Sequence, residues 1–240
     1  MAYLLVAGVG WLAGLVSGVI GTGSSMMLMP VLVILYGPKQ AVPIMAIAAI
    51  MGNFGKVLSW WREIDWRACA AYCATAVPGA MLGVRTLLAL PPHVIDAALG
   101  VFFIAMVPTR RWLARRAIRF SLVHLSLIGA VVGFLTGIVV STGPITVPVF
   151  MGYGLVKGAF LATEAAGSLA VYGAKVSVFE HFGALPLRVI VNGLVTGTSI
   201  MLGTFGARRI VVHMSPGTFK LVVDGLMLSS GLSLLFAVGR

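Results

Sequence analysis

The sequence predicts an all-α fold: a polytopic transmembrane helical bundle of two inverted repeats, each a broken first helix or hairpin followed by three spans. Three observations predict it. Of the 240 residues, 60% are hydrophobic and only 10% charged, whereas a soluble domain carries about 25% charge. Apolar runs of about 20 residues recur along the chain, each able to cross a hydrocarbon core roughly 30 Å thick. The chain also resembles itself, its two halves matching at a spacing of about 119 residues.

The match is carried by Gly14-Leu-Val-Ser-Gly-Val-Ile-Gly-Thr-Gly-Ser-Ser-Met-Met-Leu-Met-Pro30 and Gly133-Phe-Leu-Thr-Gly-Ile-Val-Val-Ser-Thr-Gly-Pro-Ile-Thr-Val-Pro148, aligned with one gap. Downstream, Tyr36-Gly37 pairs with Tyr153-Gly154, Lys56-Val57 with Lys175-Val176, and Gly79-Ala-Met-Leu-Gly83 with Ser199-Ile-Met-Leu-Gly203. Each half reads as four hydrophobic segments, the first interrupted. In the first half these are 2–20, broken at 21–25 and resumed at 26–36, then 41–61, 67–90 and 93–107. The counterparts are 121–140 with 144–156, then 159–179, 187–207 and 216–238. At 1.5 Å of rise per residue, the resumed pieces are too short to cross alone. The expected organisation is an N-terminal repeat over 1–108, an arginine-rich cytoplasmic linker over 109–120, and a C-terminal repeat over 121–240.

The net charge is +11, yet its distribution argues for topology rather than nucleic acid. Arg110, Arg111, Arg115, Arg116 and Arg119 cluster between two spans, as a loop held on the cytoplasmic face does. If each interrupted segment dips in and returns, the halves face opposite ways. Lysines and arginines outside the spans then divide eleven to four; a single bent crossing divides them nine to six. The stronger asymmetry favours inverted halves with both termini outside. Cys69 and Cys73 lie one turn apart in an apolar span, a spacing that disfavours a disulfide and reads as core.

The breaks are the first candidate site. Glycine and hydroxyl residues interrupt helices at membrane depth, where exposed backbone needs protein or a water-filled cavity to receive it. Matching breaks in two halves point to a transporter's binding site, and the helix ends they create suit an anion. Ser24, Ser25, Ser141 and Thr142 are the residues so marked. Gly14, Gly18, Gly133 and Gly137, spaced four apart, read instead as close helix packing.

Lys56 and Lys175 are charges inside apolar spans at matching places. A charge at that depth costs roughly 2.5–3.5 kcal/mol and normally faces a partner or a watery cavity. Each also lies near a span end, so snorkelling to the headgroups is the competing reading. With inverted halves the two lysines approach from opposite sides and flank a central site. Asn53 and Tyr172 stand one turn from the lysines and offer donors to an oxyanion. Glu164, a carboxylate in the second-half span, is either a proton carrier or a solvated cap near the span's start. Asn192 is a further polar group in an apolar span, and the four histidines form no metal-ligand pattern. No nucleophile triad, phosphate loop or cofactor motif is present in the sequence, so no enzyme activity and no cofactor are expected.

The opening Gly14-x-x-Ser-Gly-x-x-Gly-x-Gly-Ser-Ser…Pro30, its echo at Gly133 to Pro148, the glycine stretches at Gly79, Gly83 and Gly203, and the arginine-rich central loop resemble the sulfite exporter TauE/SafE family, also called toluene sulfonate uptake permeases. The resemblance covers nearly the whole chain. It departs from the family pattern at Ser24-Ser25, where relatives often carry glycine, and at Pro144. It implies a multi-pass bacterial inner-membrane transporter of small sulfur anions such as sulfite, thiosulfate or organosulfonates. Relatives that import thiosulfate use membrane-embedded cysteines, and here Cys69 and Cys73 have no partner in the second half. The resemblance therefore favours export of sulfite or a sulfoacetate-like sulfonate by alternating access. Thiosulfate import, a passive anion channel and a non-transporting membrane subunit remain as rivals.

Overall fold

A backbone surrounded by leucine, alanine and methionine at membrane depth has no hydrogen-bond partner but itself, and helices satisfy it within one segment. The computed structural model describes residues 2–20, 24–115, 119–139 and 142–210. Gly21, Thr22 and Gly23 of the first break, Ser141 of the second, and the expected last span at 216–238 lie outside the described residues.

Among the described residues the first half runs α1 (Ala2–Ile20), α2 (Ser24–Tyr36), α3 (Pro38–Trp60), α4 (Trp66–Ala89) and α5 (Pro92–Arg115). The second half runs α6 (Leu122–Val139), α7 (Gly143–Tyr153), α8 (Lys157–His181) and α9 (Leu187–Ile210). Lys39–Leu58, Trp66–Ala89, Leu122–Val139 and Leu187–Thr204 are long and apolar enough to cross a membrane. The fourth segment of the first half continues past its expected end at 107, through Pro108 to Arg115. Part of the expected linker is therefore helix, with Arg110, Arg111 and Arg115 on α5.

The repeat is legible in the backbone. α2 ends at Gly37, with φ 76°, and α7 ends at Gly154, with φ 114°. These are the glycines that the sequence match pairs. Both have a positive φ that glycine adopts without steric cost, and Gly154 is the left-handed residue that closes α7. Packing repeats too. α4 lies along α6 while its counterpart α9 lies along α1, and α3 meets α8 at the centre. Each half thus lends its third segment to the first segment of the other. Neither half is a closed unit.

One end of the α3–α4 pair carries interfacial chemistry. A 3-10 turn, Trp61–Glu63, joins the helices, and Trp60, Trp61 and Trp66 are exposed there. Tryptophan at such a place sits at headgroup level. The Asp65 carboxylate caps α4 by accepting from the N–H groups of Arg67 and Ala68, each at 3.0 Å. Its own N–H donates to the buried Thr163 hydroxyl of α8 at 2.9 Å. The large exposed residues elsewhere, including Leu58, Leu82, Val123, Leu127, Leu187 and Leu202, form the face turned to lipid.

Candidate functional site

Two helix starts converge at the middle of the molecule. Ser24 and Ser25 open α2; Thr142 precedes α7, which begins at Gly143. First-turn N–H groups lack intrahelical acceptors and carry the positive end of the helix dipole. Both starts line one cavity, which holds about 40 Å³ of water-sized space. A water needs about 10–15 Å³ by that measure, so there is room for about three waters or one small oxyanion.

The cavity draws on both halves. From the first come Ser17, Ser24, Ser25, Asn53, Lys56 and Tyr72; from the second come Thr136, Thr142, Thr146, Glu164, Ser168 and Tyr172. Matched positions meet here: Ser17 with Thr136, Ala49 with Ser168, Gly52 with Val171, Asn53 with Tyr172. The cavity therefore sits where the two repeats face each other.

Lys56 is buried and lines it, its ammonium donating to Asn53 Oδ1 at 3.2 Å. It is held well inside, not turned to the headgroups. Glu164 is buried as well and lines the same cavity, so the solvated-cap reading is set aside. Its Oε1 accepts from the Ser168 hydroxyl at 3.1 Å, while Oε2 has no hydrogen-bond partner among the described residues. Thr146 stands beside this carboxyl but aims its hydroxyl at the Gly143 carbonyl, at 3.3 Å. Lys56 and Glu164 interact electrostatically across the space. The site thus holds one cation, one carboxylate and a ring of hydroxyls.

Lys175 is placed differently from its counterpart. It is fully buried behind the cavity wall, and its ammonium donates to the Thr136 carbonyl at 2.6 Å. It also lies 5.3 Å from the Tyr172 ring centroid, within cation–π reach. The Thr136 hydroxyl bonds the Thr142 hydroxyl at 2.6 Å and the Val132 carbonyl at 2.7 Å. Lys175 therefore fastens the end of α6 beside the start of α7 and does not touch the cavity.

Of the residues marked from sequence, Ser24, Ser25, Asn53, Lys56, Thr142, Tyr172 and Glu164 come together at one cavity. Lys175 stands one layer behind, and Ser141 is outside the described residues. Sequence reasoning passed over Ser17, Tyr72, Thr136, Thr146 and Ser168. A signal existed for two of these. Ser17 and Thr136 are the hydroxyl-bearing positions of the matched Gly-x-x-Ser and Gly-x-x-Thr. Asn192, noted only as a polar group in an apolar span, is buried on α9, and neither side-chain polar atom has a partner among the described residues.

The sequence model of one protein family, described as Sulfite exporter TauE/SafE, matches residues 6–234. No curated protein and no solved structure matches the chain.

Proposed function

The chain belongs to the sulfite exporter TauE/SafE family of membrane transporters, and on that premise we propose that it carries a sulfite-sized sulfur oxyanion, outward across a bacterial inner membrane, by alternating access. One observation carries this reading. Two helix N-termini, the Lys56 ammonium and several hydroxyls converge on a cavity with the volume of a small oxyanion. Positive dipole ends and a buried cation favour a negative solute, and hydroxyls supply the remaining donors. The cavity is too small for a sulfonate with a carbon tail unless that tail lies in a wider path.

The charges suggest how transport is coupled. Lys56 and Glu164 together leave the site near neutral, so an entering anion would leave it negative. In this reading Glu164 takes up a proton as the anion binds, and its unpartnered Oε2 is the atom that receives it. An anion and a proton then travel together, so export runs down the anion's own gradient and is opposed, not driven, by an inward proton gradient.

The test is a thermal-shift screen of detergent-purified protein against sulfite, thiosulfate, sulfate, taurine and sulfoacetate, followed by counterflow in liposomes. Binding to the folded state alone raises apparent stability by mass action. Sulfite is expected to give the largest shift, and Lys56→Met to abolish it. No shift with any of the five would remove the anion site, and flux without counterflow would make the protein a channel. Glu164→Gln is expected to keep sulfite exchange while losing the response to a pH gradient. Proton-driven flux in that variant would take the carboxyl out of the coupling.

A further inference from the structure

The cavity is unequal along its length. α3 faces it with Ala49, Gly52, Asn53 and Lys56, and α8 with Glu164, Ser168 and Val171. Both sets follow the three- and four-residue spacing of a single helix face. Lys56 and Glu164 interact across the space, which brings the later part of the α3 stripe beside the earlier part of the α8 stripe. Ala49 and Val171 lie at the opposite ends, each seven residues, about 10 Å, from the charged group on its own helix. Among the described lining residues, Val171 carries the one side chain larger than a methyl group that has no polar atom.

The other half has no equivalent of this valine. Its counterpart is Gly52, where an added Cβ would stand 3.2 Å from Ile200 Cγ2. There the volume comes from α9, from a residue outside the cavity lining. On the α8 side the volume is the valine's own. The neighbours that α4 places in the same buried apolar cluster include Ala76 and Ala80, and Ala80 is the counterpart of Ile200. Alanine cannot extend into room that a shorter side chain at 171 would leave.

Sulfite carries three oxygens on one side of sulfur and a lone pair on the other. Sulfate fills that fourth position with an oxygen, and methanesulfonate fills it with a methyl group. Resting on the sulfite reading above, we propose that Val171 sets which anion fits, by receiving the bare side of a three-oxygen anion and shutting out a fourth substituent. The oxygens of sulfite turn to Lys56 and the hydroxyls, and its lone pair turns to Val171. Sulfate is refused because its fourth oxygen would lose water and meet no donor. Methanesulfonate is refused because its methyl group finds no room. Shortening Val171 lifts the second bar and leaves the first, since the space gained is walled by alanine.

The test compares purified wild-type protein with Val171→Ala by thermal shift against sulfite, sulfate and methanesulfonate, the last two being tetrahedral ions of similar size. Sulfite alone is expected to stabilise the wild type. Val171→Ala should bind methanesulfonate at least about tenfold more tightly than the wild type does, as a methylene-sized change of room implies. It should gain nothing for sulfate. Val132→Ala is the same truncation in the same buried cluster, away from the cavity. It should lower the melting temperature and leave the anion preference unchanged. If Val171→Ala does not assemble, Val171→Ile, which adds a methyl group instead, should weaken sulfite by at least about tenfold. Silence towards sulfite in the wild type defeats the sulfite reading and this assignment with it. A wild type that answers sulfite overturns the assignment alone under any of three results: no gain of methanesulfonate in Val171→Ala, an equal gain of sulfate, or the same gain in Val132→Ala. Unchanged sulfite affinity in Val171→Ile overturns it as well.

Discussion

The two crossings that tie the halves together begin from matched sequence and end with different fits. Where α4 meets α6, closeness runs along the helices: a methyl group on Gly83, Gly79, Gly133 or Gly137 would strike partner backbone. Where α1 meets α9, among the described residues, only the Gly14–Gly203 contact is of that kind. One turn away, Gly10 faces the Ser199 side chain, and Ile200 stands where α4 has Ala80. Without a hydrophobic drive between helices in lipid, association rests on such close contact. One crossing is therefore zipped and the other pinned at a single point. The same substitution at equivalent places should have unequal effects, and that inequality can be measured.

The largest effect is expected from Gly133→Ala, whose methyl meets the Ala76 carbonyl and Cα, atoms that cannot rotate away. A loss of about 3 kcal/mol, the upper end of overpacking costs, should appear as a large fall in melting temperature or as loss of the monodisperse species. Ala80→Ile, which gives α4 its counterpart's residue, should cost about 2 kcal/mol in the same assay. Ile200→Ala on the pinned side should also cost about 2 kcal/mol, because the buried side chain beside Gly52 leaves a cavity. Gly10→Ala should be within about 0.5 kcal/mol of neutral, since a serine side chain can yield and alanine favours the helix. Equal losses for Gly133→Ala and Gly10→Ala would erase the distinction between the crossings.

How much of this was readable in the sequence depends on the kind of signal. The segment 26–36 ends where expected, at Tyr36, whereas α7 stops at Tyr153 with a left-handed Gly154, three residues short of the expected end at 156. The paired breaks and Lys56 were legible because glycine, hydroxyls and charge are conspicuous among apolar residues. Thr146 and Ser168 were not, because a lone hydroxyl in an apolar helix can bond its own carbonyls and so carries little information. Thr136 does so with Val132 even while it lines the cavity. Nor does sequence separate the two lysines. Their neighbourhoods match, yet Lys56 lines the cavity and Lys175 donates to a carbonyl behind it. The length of α5 was misjudged for a related reason. Pro108 and the arginines looked like an ending, but neither prevents a helix from continuing into the headgroup zone.

The exposed Trp60, Trp61 and Trp66, with the Arg62 guanidinium 5.4 Å from the Trp61 ring centroid, have a consequence for the lipid itself. Indole rings resist leaving the headgroup level, so α3 and α4 are moored there at a fixed depth. A bilayer that is too thin or too thick then strains the other helices against that mooring, at a fraction of a kcal/mol per ångström. Acyl-chain length in reconstituted vesicles becomes a throttle on turnover, and replacing the three indoles with leucine should loosen it.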